Sequence, residues 1–214
     1  MQSLTEKMFD LQPPGGVFDD TAIRNATLRL SVGARRALVH RAVVSGEVLR
    51  LKPGLYCLAT RLRRTQPHPF VVAAMLHYPS QISFETALAF HGLIPEAVHR
   101  VASSTLQRSR SFETPLGYFE FRRVPVASLR TGVQVTRVDG GWAFIASPLR
   151  ALADLLYQRR EVTWRGDGIA FLTESLRMEP DELRLDDYDE VSQSLRNKRV
   201  RAYLDGLHAE LRLR

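Results

Sequence analysis

Apolar and polar positions change their period within residues 30–58, and the change predicts a helix followed at once by a tight hairpin. Ser31 is a good cap for this helix, because its hydroxyl can accept a hydrogen bond from the first turn. Apolar residues then recur at helical spacing until Gly46, which stands where a left-handed residue ends a helix. Two short apolar strands flank residues 52–54, whose sequence Lys-Pro-Gly suits a type II turn.

Two shorter helices are predicted before this stretch. Residues 3–11 carry apolar side chains at helical spacing, and the Pro-Pro-Gly-Gly sequence of residues 13–16 then breaks the chain. Asp19 or Asp20 can cap a second helix that ends before Ser31. Three helices followed by a hairpin is the order of a winged helix-turn-helix, in which a recognition helix enters the DNA major groove.

The predicted third helix separates an apolar face from a basic one, with successive residues about 100° apart. Arg36 and His40 fall on the basic face, where small Gly and Ala neighbours permit close approach to DNA. Arg35 falls near the apolar arc and Arg41 on its border, so Arg36 and His40 are the stronger candidates for DNA contacts. The other interpretation is that these are ordinary solvated side chains. The apolar face consists of Leu38, Val39, Ala42 and Val43.

Basic residues of the hairpin and of the segment after it complete the candidate DNA contacts. Arg50 and Lys52 lie near the hairpin tip, where they would contact the flanking backbone or the minor groove. Arg61, Arg63 and Arg64 follow the hairpin, and they either hold phosphates or are solvated side chains of a linker. The full candidate set is Arg35, Arg36, His40, Arg41, Arg50, Lys52, Arg61, Arg63 and Arg64.

A second domain is predicted after the linker of residues 65–69. We expect a winged helix-turn-helix domain over residues 1–64 and an α+β domain over residues 70–214. The expected fold class is therefore α+β, with a mixed helix and antiparallel-sheet second domain that has a helical C-terminus. Its predicted helices are 70–77, 84–91, 148–160, 168–177, 188–198 and 200–213; its predicted strands are 100–106, 118–124, 133–138 and 142–146, with a long basic loop at 107–117.

The charge is unevenly distributed along the chain. The net charge of +7 indicates a polyanionic partner. Residues 1–64 hold 11 basic and 5 acidic side chains, residues 65–160 hold 10 and 6, and residues 161–214 hold 9 and 12. The positive charge is thus concentrated where the predicted helix and hairpin lie. Since no apolar run approaches the roughly 18–20 residues that span a bilayer, we expect a soluble, cytoplasmic protein with no membrane partner.

The motifs of common enzyme classes do not occur in the sequence. It contains no Gly-rich phosphate loop, no HExxH and no GxSxG, and its single cysteine, Cys57, excludes a disulfide or a Cys-rich zinc site. Lys7, Lys52 and Lys198 are the lysines, and none follows an acidic pair as a nuclease centre requires. The acids of residues 181–190 could hold a divalent cation, but a solvated loop explains them more simply. We therefore expect no catalytic residue, no metal and no cofactor.

Four segments carry patterns that occur together in one protein family. They are residues 46–56 (GEVLRLKPGLY), 82–94 (ISFETALAFHGLI), 112–121 (FETPLGYFEF) and 147–156 (SPLRALADLL). In this order they resemble the AbiEi antitoxins of type IV, abortive-infection toxin–antitoxin systems. The resemblance covers roughly residues 20–160, and it leaves the first 20 residues and the acidic C-terminal region unmatched.

The resemblance implies a bacterial DNA-binding antitoxin with a winged helix-turn-helix and a separate antitoxin domain. Such proteins bind inverted repeats in their own promoter and repress it, and they counteract a neighbouring nucleotidyltransferase toxin without a tight complex. Inverted repeats suit either a weak dimer or two cooperating monomers. Of the matched residues, Arg150 and Asp154 either form a same-face helical pair worth roughly a few tenths of a kcal/mol, or a half-buried Arg150 joins the helix to the sheet.

Three classes of function are compatible with these features. The leading hypothesis is a sequence-specific DNA-binding repressor that is the antitoxin of a toxin–antitoxin pair. The alternative is a nuclease-like, nucleic-acid-processing protein that the same basic module targets to DNA, and the missing metal or acid–base constellation argues against it. A third is a protein-interaction module, which the net charge of +6 on residues 1–64 makes weaker.

Overall fold

A computed structural model describes residues 3–95 and 100–213, and over them the chain is a mixed α+β protein. The helices are α1 (Leu4–Leu11), α2 (Asp20–Ala26), α3 (Val32–Val44), α4 (Pro69–Leu76), α5 (Phe84–Phe90), α6 (Pro148–Gln158), α7 (Trp164–Asp167), α8 (Tyr188–Ser194) and α9 (Lys198–Leu211). The strands are β1 (Val17–Asp19), β2 (Val48–Lys52), β3 (Leu55–Leu58), β4 (Gln81–Ile82), β5 (Arg100–Thr105), β6 (Arg110–Thr114), β7 (Gly117–Arg123), β8 (Val133–Val138) and β9 (Gly141–Ala146).

The three helices predicted at the start of the chain are confirmed, and so are the predicted caps of the second and third. α1 opens on a capping box, because the Ser3 hydroxyl accepts from the Glu6 amide and the Glu6 carboxylate accepts from the Ser3 amide. Asp19 caps α2 and Ser31 caps α3, each through a side-chain oxygen that accepts from the first turn. Gly46 follows the end of α3 with a φ of +68°, the left-handed conformation that was expected there.

The predicted hairpin is also confirmed, and an unpredicted strand, β1, completes a small antiparallel sheet with it. The strand order of this N-terminal sheet is β1-β3-β2. Side chains alternate between its two faces. Phe18, Val48, Tyr56 and Leu58 pack with helices α1–α3. Val17, Leu51, Leu55 and Cys57 belong instead to the large core of the rest of the chain. Both faces of the N-terminal sheet are therefore buried.

The second sheet is mixed, whereas we predicted an antiparallel one. Its order is β6-β7-β5-β4-β9-β8, and the pairs β5–β7 and β4–β9 are parallel. Strand β4 has two residues, too few to show an alternating pattern, yet it joins β5 to β9 at the centre of the sheet. The predicted loop 107–117 is also wrong, since β6 forms a hairpin with β7 in which Phe112 lies opposite Phe119.

The C-terminal region is helical as predicted, but the bounds of its helices differ from the predicted ones. The predicted helix 168–177 is wrong: α7 ends before Gly168, and residues Phe171–Ser175 form a single π-helical turn. Gly168 has a φ of +51°, which explains why α7 cannot continue through it. The predicted helices 188–198 and 200–213 correspond to α8 and α9.

A fully buried ion pair joins α6 to the elements packed around it in the large core. Arg150 Nε lies 2.9 Å from Asp154 Oδ1, and both side chains are 0% exposed. Arg150 Nη1 also donates to the Thr131 carbonyl at 2.6 Å. The Ser83 hydroxyl, directly before α5, donates to the Asp154 carboxylate at 2.7 Å and makes no capping hydrogen bond to α5. The same-face pair of Arg150 and Asp154 is therefore present, and Arg150 also joins α6 to a neighbouring segment, fully buried rather than half-buried as expected.

We expect Arg150→Met to lower the free energy of unfolding by about 3–5 kcal/mol, because Asp154 would remain as an unpaired buried carboxylate. The double variant Arg150→Met/Asp154→Leu should recover part of this loss, since it leaves neither charge in the core. Urea unfolding followed by circular dichroism measures both values. A double variant no more stable than the single one would assign the loss to packing rather than to the unpaired charge.

A buried histidine lies where the N-terminal sheet packs against the large core. His77, directly after α4, is 8% exposed, and its Nε2 has no hydrogen-bond partner in the described part of the chain. Its ring lies 5.0 Å from the ring of Phe121. Burial lowers the pKa of His77, and the positive charges of Arg110 and Lys52 lower it further. The imidazole is therefore neutral in the folded protein at neutral pH.

The lowered pKa of His77 predicts a loss of stability on acidification. The unfolded chain binds this proton near the ordinary histidine pKa of about 6.5, whereas the folded protein resists it. The free energy of unfolding should therefore fall as the pH drops below that value. His77→Phe keeps a ring beside Phe121 and should make the fall smaller in urea titrations at about pH 7.5 and about pH 5.5. An identical fall in both proteins would show that His77 does not cause it. The fall would then come from a group present in both proteins, such as His68.

Candidate nucleic-acid interface

A groove between α2, α3 and the β2–β3 hairpin collects basic side chains from all three elements. Its volume is about 550 Å³. The basic residues that line it are Arg24, Arg35, Arg36, His40 and Arg50. Asp20 is the one acidic residue of the lining, so the basic residues outnumber it. Concave surfaces with an excess of positive charge concentrate anions, so this basic groove is suited to an anionic ligand.

Helix α3 forms one wall of the basic groove and presents small and basic residues to solvent. Leu38 and Ala42 of this helix are buried, so the predicted apolar face packs inward as expected. Arg36 and His40 are exposed and line the groove. Gly33, Ala34 and Ala37 are exposed as well, and the larger exposed residues Val32 and Val44 lie at the two ends of the helix. The small residues leave the helix backbone accessible to a ligand along the middle of this face.

Arg35 and Arg41 lie at the sides of this face, as the helical spacing predicts. Arg35 is half-buried, and its Nε is enclosed without a hydrogen-bond partner among the described residues. Arg41 is exposed but is not part of the lining of the basic groove. Arg36 and His40 are thus the residues of α3 best placed to reach a ligand in the groove.

The hairpin and α2 supply the other walls of the basic groove. Arg50 of β2, which belongs to the candidate set, lines the groove. Arg24, in the last turn of α2, also lines the groove and is not in the candidate set. The Asp20 amide donates to the Gly54 carbonyl at 3.2 Å, which ties the hairpin tip to the start of α2. Because this contact joins distant parts of the sequence, no local pattern could have identified Arg24.

Lys52 does not line the basic groove, whereas Arg50 on the same strand does. Its ammonium donates to the carbonyls of Met75 and Leu76, at 3.0 and 2.7 Å, at the end of α4. Burial lowers the pKa of Lys52, and the charge of Arg110 lowers it further. The pairing register shifts between Arg50 and Lys52, so the rule that alternate strand residues share a face fails here. We therefore assign Lys52 to the contact between the hairpin and α4.

The three arginines after the hairpin lie outside the basic groove. Arg63 contacts the Cys57 sulfur, with Nη1 at 3.2 Å from it, so its role is structural. The Arg64 guanidinium lies over the ring of Phe9, 5.4 Å from its centroid. Arg61 and Arg64 are exposed, and both of the interpretations given above still apply to them.

Substitution of Lys52 should affect stability and not the shape of the basic groove. We expect Lys52→Met to lower the free energy of unfolding by about 1–3 kcal/mol, because the carbonyls of Met75 and Leu76 lose their donor. The matched control is Arg50→Met on the same strand, where we expect a change within about 0.5 kcal/mol. Urea unfolding measures both variants, and equal effects would contradict the assignment of Lys52 to the α4 contact.

Neither a metal site nor a membrane span is evident in the described part of the chain. No three His, Cys, Asp or Glu side chains within residues 3–95 and 100–213 come together as metal ligands. No helix in those ranges is both long and apolar enough to cross a bilayer.

No protein-family model matches the chain, and no curated protein matches it. The function is therefore argued from the geometry and charge of the basic groove.

Proposed function

We propose that this chain is a DNA-binding transcriptional repressor whose first part is a winged helix-turn-helix. The order of its elements supports this, because three helices and the sheet β1-β3-β2 precede the linker. The observation that carries the proposal is the basic groove. Cations from α2, α3 and β2 converge on one concave surface, and a duplex carries the dense negative charge that such a surface binds.

In this mechanism α3 enters the major groove. Arg36 and His40 reach base edges or phosphates, and Arg50 contacts the flanking backbone or the minor groove. Arg24 adds a phosphate contact from α2. The enclosed Nε of Arg35 is a cationic donor without an acceptor among the described residues, and a phosphate in the basic groove would supply one.

We further propose that the protein is the antitoxin of a type IV pair and represses its own promoter. The four-segment resemblance to the AbiEi family supports this second step. In this account the chain binds inverted repeats as a monomer or weak dimer, and it counteracts a nucleotidyltransferase toxin without a tight complex. The first segment, residues 46–56, is the hairpin beside the basic groove, and the fourth, residues 147–156, contains the buried Arg150–Asp154 pair.

A titration against the DNA directly upstream of the gene tests the proposed function. A scrambled duplex of the same length and composition is the control, and each duplex is measured at two salt concentrations. We expect tight, salt-sensitive binding to the upstream duplex alone. Equal binding to both duplexes would leave a general DNA binder, and the absence of salt-sensitive binding to either would contradict the proposal.

Arg36→Ala tests the assignment of α3. We expect it to weaken binding to the upstream duplex by about 1–3 kcal/mol, which is roughly 5- to 150-fold, and to relax the preference over the scrambled duplex. Arg165→Ala, an exposed change in α7, is the matched control and should alter neither quantity. Unchanged affinity together with an unchanged salt dependence in Arg36→Ala would show that α3 is not the recognition helix.

A further inference from the structure

We propose that the DNA-binding surface continues from the hairpin onto β6, where Arg108 and Arg110 contact phosphates of the same duplex. This inference rests on the proposed function. Strands β2 and β6 are edge strands of the two sheets, and they lie against each other. Leu51 of β2 and Phe112 of β6 also pack into the same core. The position of β6 relative to the hairpin is therefore fixed by packing.

Arg110 brings a further positive charge close to the hairpin. It lies opposite Phe121 in the β6–β7 register, on the face of the sheet that His77 contacts. After burial, which is the main cause, its charge contributes to the lowered pKa of both Lys52 and His77. Basic groups from the hairpin, from the end of α4 and from β6 therefore meet at one place. His77 is neutral, and neither of the two cations, Lys52 and Arg110, is ion-paired within the described residues.

Arg108 lies in the short segment that leads into β6, and its neighbours hold this segment in place. The Ser109 hydroxyl accepts from the Arg123 amide at 2.9 Å. The Gln107 amide donates to the Thr105 hydroxyl at 3.1 Å, and the Gln107 side chain donates to the Tyr78 carbonyl at 3.0 Å. Arg108 thus projects from a well-bonded segment next to Arg110.

Arg108 and Arg110 are both exposed and have no acidic partner among the described residues. Arg122 of the neighbouring strand contrasts with them, because its guanidinium lies 2.8 Å from the Glu120 carboxylate. Cations that are crowded without a counter-charge destabilise a folded protein, and a bound polyanion offsets that repulsion. Arg50 of β2 lines the basic groove and β6 lies against β2. In the proposed complex, phosphates that follow the one held at Arg50 would therefore meet β6 next.

The test compares the wild-type chain with Arg108→Ala/Arg110→Ala on the upstream duplex and on the scrambled duplex. The apparent affinity is measured at four salt concentrations. We expect the slope of log affinity against log salt to become shallower by about 0.9 for each lost phosphate contact, and therefore by nearly two. Affinity for both duplexes should fall by a similar factor, so the preference for the upstream duplex is kept.

Two control variants keep the result interpretable. Arg108→Lys/Arg110→Lys retains both charges and should keep the wild-type slope, and Arg165→Ala should have no effect. Thermal unfolding verifies that each variant folds. An unchanged slope in the alanine variant would overturn this extension and leave the proposed function standing. Loss of the preference would overturn the assignment to phosphates, and failure of the wild-type chain to bind either duplex would overturn the proposed function together with the extension.

Discussion

The arrangement of the molecule depends on the N-terminal sheet, because both of its faces are buried. Along β3, Tyr56 and Leu58 pack under helices α1–α3, while Leu55 and Cys57 pack into the large core. If β3 shifted by one residue, the side chains that pack under the helices and those that pack into the large core would change places. The sheet therefore holds the helices that carry the basic groove in a fixed position relative to the second sheet. The bonds from Lys52 to the end of α4 add to the same junction.

Charges in this protein follow two different rules. In the core, Arg150 is paired with Asp154 and bonded to backbone, as a buried charge must be. On the surface formed by α3, the hairpin and β6, cations such as Arg36 and Arg110 are exposed and have no ion-pair partner among the described residues. Local unpaired charge of this kind does not stabilise the folded chain. Its natural counterpart is a ligand with negative charge, and a nucleic-acid backbone is the ligand we propose.

Local signals in the sequence predicted the first three helices, the caps of the second and third, and the hairpin, because each signal lies within a few residues of its effect. Long-range pairing could not be predicted in this way. Strand β4 is too short to show a period, and β6 carries Phe112 as its large apolar residue, so neither gave a strand pattern. Arg24 faces the basic groove through contact of α2 with a hairpin far along the chain. The contact of Lys52 with the end of α4 also joins distant parts of the chain, so no local pattern indicated it.

The central claim is that α3 reads the major groove of a duplex. Methylation protection tests it most directly, because dimethyl sulfate modifies guanine N7 in the major groove and adenine N3 in the minor groove. The account predicts that the wild-type chain protects guanine N7 atoms in the upstream duplex and that Arg36→Ala loses part of this protection. Protection confined to adenine N3, or guanine protection that Arg36→Ala leaves unchanged, would contradict it.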